Sequence, residues 1–181
     1  MSKPYAALLR GINVGKGKRI AMADLRSLLE DLGFTAVKTL LNSGNVVFNA
    51  QTEAPDRLAL RIEAAVLARV GFSSRVTVLS AADLQAILDE NPLAEIADDA
   101  SRYLIAVLRS AEDLMRAQGL MAKDWSPERM IAGTRVIYLW CARGILESGM
   151  LDLIGKVFGE RATTRNWATL GKLNALMTAR G

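Results

Sequence analysis

The stretch "LLRGINVGKGKRIAMADLRSLLEDLGF", Leu8 to Phe34, decides the first part of the fold. It closes an apolar run that begins at Tyr5 and reaches Ile12, then turns through residues dense in Gly, Lys and Arg. Met22, Leu25, Leu28, Leu29 and Leu32 then recur at helical spacing, and Gly33 follows. A short unbroken apolar run bounded by turn residues reads as a buried strand, and a three-four spacing reads as one face of a helix. Glycine after such a face is the usual helix terminator, because it accepts a left-handed backbone. The order is strand, basic turn, helix.

Outward from it, Ala36–Leu41 predicts a second strand, Asn42–Gly44 a turn, and Asn45–Phe48 a third strand closing a hairpin. Asp56 or Glu53 opens a second helix, with Leu58, Ile62, Ala65, Val66 and Leu67 on one side and Gly71 at its end. Arg75–Leu79 is a fourth strand. Ser80 caps a short helix through Leu88, stopped near Asn91–Pro92, and "NPLAEIADDAS" from Asn91 reads as a loop between two halves. The second half repeats the order. Tyr103–Leu108 is a strand, Ser110 caps a helix over Ala111–Gln118, and Glu128–Ala132 with Thr134–Trp140 makes a hairpin around Gly133. A helix over Gly149–Phe158 presents Leu151, Ile154 and Phe158, "ATTR" is a brief strand, and a last helix spans Trp167–Ala179. The expected class is α+β: a duplicated β-α-β-β-α-β unit, helices covering one face of each sheet, and an extra C-terminal helix. The expected division is 1–80, a connecting helix and loop over 81–100, and 101–181.

Composition narrows the chemistry. The chain has no histidine and one cysteine, Cys141 in "VIYLWCARG". That removes Ser–His triads, imidazole acid–base catalysis and His or Cys metal sites. One cysteine makes no internal disulfide, and no apolar stretch is long enough to span a bilayer or to serve as a secretory leader, so a cytoplasmic protein without a membrane partner is expected. The acidic pair Asp98–Asp99 reads as a solvated loop rather than a Mg²⁺ site. The formal net charge is +4, but its distribution is uneven. Lysines and arginines outnumber acids in residues 1–26 and 156–181, and acids outnumber them between. Such asymmetry points to an anionic partner, although the same residues also serve as solubilising surface.

The basic turn is not a Walker A loop, which needs four residues between Gly and Gly-Lys-[ST]; Gly11 and Gly15 enclose three, Gly11 and Gly17 five, and no hydroxyl follows Lys16 or Lys18. Gly15-x-Gly17 is no dinucleotide fingerprint, since Ile20 stands where the third glycine belongs. No metal or dinucleotide cofactor is therefore implied. What remains is a helix N-terminus behind Lys16, Lys18 and Arg19, a place where backbone N–H groups favour an anion. A second candidate is "TTRNW" at Thr163–Trp167, where Thr164 or Asn166 can cap the last helix and Arg165 carries the wrong charge for the helix dipole alone. "SGNVVF" at Ser43–Phe48 partly matches an RNA-recognition segment, yet Asn45 occupies the place of a stacking aromatic.

These three segments, "YAALLRGINVGKGKRIAMADLRSLLEDLGF", "LNSGNVVF" and "TTRNWATLGKL", resemble the bacterial domain-of-unknown-function family 1697, and the likeness runs from Tyr5 to Leu173. The resemblance implies two ferredoxin-like halves and no established activity. Its signature polar residues fall here on Arg10, Asn13, Ser43, Asn45, Thr164, Arg165 and Asn166. Lys16 replaces the second glycine of the family's usual pair, and Ala168 replaces a polar residue. The expected function is binding of a phosphate-bearing or other anionic ligand, a nucleotide or nucleic acid. The first turn, with Arg10, Asn13, Lys16 and Lys18, and the start of the last helix, with Thr164, Arg165 and Asn166, would converge on it, and Ser43 and Asn45 are further candidate ligand-binding residues. The alternatives are a transferase or hydrolase using Asp24, Glu160 or a lysine as base, and a protein-interaction scaffold.

Overall fold

The computed structural model describes residues 1–179. The chain divides into two compact units, one of Met1–Leu84 with the C-terminal stretch from Leu173, the other of Gln85–Lys172. Each contains a four-stranded antiparallel sheet.

In the first unit the elements are β1 (Ser2–Leu9), α1 (Met22–Asp31), β2 (Thr35–Leu40), β3 (Asn45–Gln51), α2 (Pro55–Val70) and β4 (Val76–Ser80), with strand order β2-β3-β1-β4. Alternation sets the core. Tyr5, Ala7 and Leu9 of β1, Val46, Phe48 and Ala50 of β3, and Val76 and Val78 of β4 pack with Leu25, Leu28 and Leu29 of α1 and Leu58, Ile62 and Val66 of α2. Ala6, Leu8, Val47 and Leu79, on the opposite face, are buried as well. That explains the unbroken apolar run of β1, because a strand with two buried faces has no polar alternation to show. Pro55 opens α2, where a missing N–H costs nothing, and Gly71 closes it at φ 75° with its N–H donated to the Leu67 carbonyl. Leu67, expected on the buried side, is exposed. It lies one position round the helix from Val66, which takes the core contact instead.

Ser80 caps α3 (Ala81–Glu90) reciprocally: its Oγ accepts the Asp83 N–H at 3.1 Å while the Asp83 carboxylate accepts the Ser80 N–H at 2.9 Å. The second unit continues with β5 (Tyr103–Leu108), a single 3-10 turn at Ala111–Asp113, α4 (Leu114–Met121), β6 (Arg129–Ala132), β7 (Val136–Trp140), α5 (Ile145–Ser148), α6 (Met150–Phe158), a second 3-10 turn at Gly159–Arg161 and β8 (Ala162–Asn166), and then the start of α7 (Trp167–Thr178), which from Leu173 belongs to the first unit. Its sheet order is β6-β7-β5-β8. Leu104, Ala106 and Leu108 of β5 pack with Ile137 and Leu139 of β7, Ala117 and Leu120 of α4, and Met150, Ile154 and Phe158 of α6. The expected face of α6 was Leu151, Ile154 and Phe158. Met150 takes the buried place and Leu151 is exposed. Gly149, at φ 65°, breaks the chain between α5 and α6 and sets the phase of the new helix at Met150. Among the described residues no helix is long and apolar enough to cross a membrane.

The two central strands end alike. Leu9 N–H bonds the Gly44 carbonyl and Arg10 N–H the Arg75 carbonyl; Leu108 N–H bonds the Arg135 carbonyl and Arg109 N–H the Arg161 carbonyl. The connections that follow differ. Arg109 and Ser110 suffice between β5 and the next helical turn, whereas Arg10–Ala21 intervenes between β1 and α1.

Gly44 is the tightest glycine of the first unit. It sits at φ 80°, and a Cβ there would lie 2.7 Å from Ile12 Cδ1 and 2.8 Å from Leu9 Cβ. Gly15 has φ 62° but nothing within 4 Å. Gly15→Ala is expected to lower the unfolding free energy by about 1 kcal/mol, the cost of the left-handed backbone. Gly44→Ala should lose about 1–3 kcal/mol more from crowding, measured by urea titration. Equal losses would mean that the Leu9–Ile12 corner yields.

Candidate functional site

β1 and β2 run in the same direction and β3 and β4 in the opposite one, so the loop after β1, the turn from Leu41 to Gly44 and the segment before β4 share one end of the first sheet. Asn13 organises this end. Its main-chain N–H donates to the Lys18 carbonyl at 2.8 Å. Its Nδ2 donates to the carbonyls of Ile20, at 2.9 Å, and Asn42, at 2.8 Å, and its Oδ1 accepts the Ile20 N–H at 3.0 Å. The residue sits at φ 55°, a left-handed conformation that asparagine tolerates better than most side chains. Asn13 was expected to face a ligand. Both of its amide hydrogens are engaged by the protein, and what it does here is hold the basic loop closed.

Around that closure the cations project outward. Lys18 Nζ donates to the Ser73 carbonyl at 2.6 Å, Arg19 Nη2 to the Gly15 carbonyl at 2.6 Å, and Lys16 is exposed. None of the three forms an ion pair among the described residues. Elsewhere in the unit arginines meet acids: Arg61 and Arg57 stand at Glu53, Arg75 at Glu63, Arg69 at Asp31 and Arg26 at Glu30. Beside the loop lies an open pocket of about 350 Å³, lined by Asn13, Arg19, Ile20, Ala21, Met22 and Asn42. Ala21, the residue before α1, offers no side chain to cap the helix, so the first turn of α1 opens onto this pocket without a protein acceptor from its cap position. Asp24 is the acidic residue of that turn.

The other predicted residues have definite places. Arg10 is half-buried, with its carbonyl accepting the Ser74 hydroxyl at 2.9 Å. Asn45 is fully buried and donates to the Leu40 carbonyl and to Ser43 Oγ, each at 3.0 Å, which fixes the β2–β3 turn. The resemblance of "SGNVVF" to an RNA-binding strand is not carried into aromatic placement: Phe48 stacks on Phe34 at 4.5 Å and on Tyr5 at 5.9 Å within the core.

In the second unit Asn166 caps α7, its Oδ1 accepting the Thr169 N–H at 2.9 Å. Trp167 stacks on Tyr103 at 4.9 Å. Arg165 Nη1 donates to the Thr164 carbonyl at 2.8 Å, and burial pulls its pKa down to about 10. Cys141 is a core residue whose thiol is pushed up, first by burial and then by the charge of Glu128, against the Ser148 hydroxyl that lowers it. A raised thiol in a packed core is a poor nucleophile. Asp99 accepts the N–H and hydroxyl of Ser101, and these bonds, helped to a smaller extent by Arg102, hold its carboxyl below the usual range.

The sequence points to Asn13, Lys16 and Lys18 and marks Asn42 only as a turn residue. The signal for Asn42 is spatial: its carbonyl receives Asn13 from 29 positions away.

A mixed α+β chain built on two four-stranded antiparallel sheets is what these elements define. The model of the family described as "Protein of unknown function (DUF1697)" matches residues 1–138, and the chain belongs to that family. A conserved bacterial protein from Streptococcus pneumoniae, SP0830, has a similar solved structure: TM-score 0.80, 26% identity, covering 98% of this chain and 99% of that one. No curated protein matches the chain.

Asn13→Ala removes three side-chain hydrogen bonds yet keeps the left-handed backbone, so it is expected to destabilise by about 2–4 kcal/mol. Asn13→Gly, free of the backbone cost, should be about 1 kcal/mol milder. Denaturant unfolding of both variants checks this. Wild-type stability in each would show that the loop closes without the carboxamide.

Proposed function

We propose that the protein binds a phosphate-bearing anion at the basic loop of its first unit, against Arg19 and the N-terminus of α1. One observation carries the reading: among the described residues Lys16, Lys18 and Arg19 form no ion pair, whereas Arg26 of α1, Arg57, Arg61 and Arg69 of α2, and Arg75 just before β4 each meet an acid. Unneutralised cations beside open backbone N–H groups are an anion site in chemical terms. The reading rests on the first unit alone.

The second unit works as an internal control. The strand orders correspond, both central strands end on the same pair of backbone hydrogen bonds, and "ALLR" at Ala7–Arg10 parallels "AVLR" at Ala106–Arg109. These features support a duplicated ferredoxin-like β-α-β-β-α-β unit, with 1–80 and 101–181 as its halves joined through 81–100. On that view Arg109–Ser110 shows how little chain the strand-to-helix connection needs. The loop Gly11–Ala21 is then an addition beyond the fold's requirement, and additions of that kind on a rigid scaffold are where binding resides.

Calorimetric titration with inorganic phosphate and pyrophosphate tests the proposal. Arg19→Ala should weaken binding by about tenfold, the loss of one charge-assisted contact of about 1.4 kcal/mol. Arg19→Lys should retain part of it. Unchanged affinity in Arg19→Ala, or no binding by the wild type, overturns the reading.

A further inference from the structure

We infer that α5 is a glycine-hinged flap over a buried polar cluster, and that the Glu128 carboxylate beneath it drives a local opening that bares Cys141 while the rest of the second unit stays folded.

The cluster is the first observation. Glu128 is 2% exposed, and its Oε1 has no hydrogen-bond partner among the described residues. The neighbouring Arg129 does not answer it, because its Nη1 donates to Ser126 Oγ and to the main-chain carbonyl of Glu128. Arg129 pairs with Trp140 across β6 and β7, so one step further along that register Glu128 stands opposite Cys141. By the two-residue alternation of a strand both fall on the side of Met130 and Leu139, which pack in the core with α4 and α6. The Glu128 charge acts on the Cys141 thiol, and the Ser148 hydroxyl hydrogen-bonds the same thiol. Ser148 Oγ also accepts the Met150 N–H at 3.3 Å. A carboxylate walled into an apolar core with neither donor nor cation is among the most costly arrangements in a folded protein, and it regains hydration once the wall lifts.

The wall that can lift is α5. It has four residues, and of these Ser148 is the buried one. Ile145 is partly buried against the core, and Leu146 is fully exposed. Gly144, at φ 101°, and Gly149, at φ 65°, flank the segment, and without a Cβ each can turn freely. All of β5 and β7 is buried, by contrast. A segment that buries so little apolar surface opens at a far lower free energy than the strands it lies beside. Closed, it shields the thiol; open, it admits a thiol reagent.

Cys141 is the single cysteine of the chain, so its alkylation reports the opening directly. The experiment treats the native full-length protein with excess iodoacetamide at neutral pH, without and with low urea, and follows labelling by mass spectrometry beside a urea unfolding curve. Labelling should change little over the first urea additions, as a local opening exposes little surface. Glu128→Met, close to the same volume, should slow it by about tenfold, and Glu128→Gln by a smaller factor. Gly149→Ala, whose added Cβ meets nothing within 4 Å and strains the backbone alone, should speed it by about fivefold. Gly159→Ala, at φ 53° and equally uncrowded but outside α5, should lower the unfolding midpoint and leave the labelling rate unchanged. Labelling that follows the urea dependence of global unfolding overturns the inference. So does an unchanged rate in both Glu128 variants, or a Gly159→Ala protein that labels as fast as Gly149→Ala.

Discussion

One carboxamide holds the end of the first sheet together. Asn13 bonds both the N–H and the carbonyl of Ile20, as a neighbouring strand would, and its second amide hydrogen reaches the Asn42 carbonyl in the β2–β3 turn. The loop from Val14 to Arg19 is thereby closed at its neck rather than left to swing. The same bond draws the turn toward β1, where Gly44 lies so close to Leu9 and Ile12 that a side chain has no room. Ile12 and Ile20, both buried, seat the two ends of the loop in the core. A loop held this way presents its cations and the start of α1 in one arrangement. A ligand that meets groups already in place loses less conformational entropy on binding than one that must order them.

Charge follows a similar division of labour. Surface ion pairs contribute little each, about 0–1 kcal/mol when exposed, so the pairs at Glu53, Glu63, Asp31 and Glu30 matter less for stability than for what they neutralise. Among the described residues of the first unit they leave Lys16, Lys18 and Arg19 of the loop, and the exposed Lys3 and Lys38, without an ion pair. The positive ends of the sequence therefore do not translate into a uniformly basic surface. Of the N-terminal cations, Arg26 is answered by Glu30, while Lys16, Lys18 and Arg19 bond only to main-chain carbonyls or to solvent.

How much of this could be read from residues alone depends on the range of the interaction. β5 was legible to the residue because all of Tyr103–Leu108 is buried and the run is bounded by polar neighbours. α1 was legible because its apolar positions follow one helical stripe. α6 was misread because the stripe through Leu151 and the stripe through Met150 are both apolar, and only the left-handed Gly149 decides which one meets the sheet. α5 was missed because four residues between two glycines carry no periodicity. Local chemistry came through at the start of α7, where the cap by Asn166 acts over three residues. Asn13 did not, because an asparagine among glycines looks the same whether it faces a ligand or a carbonyl in a turn far along the chain.

The aromatic rings Tyr5, Phe34 and Phe48 of the first unit are used in its core. The strand pattern of an RNA-binding sheet requires rings turned outward, and here the register puts Tyr5 opposite Phe48, with Phe34 stacked on Phe48, all facing the helices. Those rings are the packing that joins α1 and α2 to the sheet, and turning one outward would open a cavity costing about 3–5 kcal/mol. The outer face of the same strands offers Ala6, Leu8, Val47 and Leu79, all buried, so neither face of the sheet is a platform. On the proposed reading, recognition falls to the loops at the sheet's end. Of those loops, the one after β1 runs from Arg10 to Ala21, whereas β5 is joined to the helical turn that follows it by Arg109 and Ser110 alone.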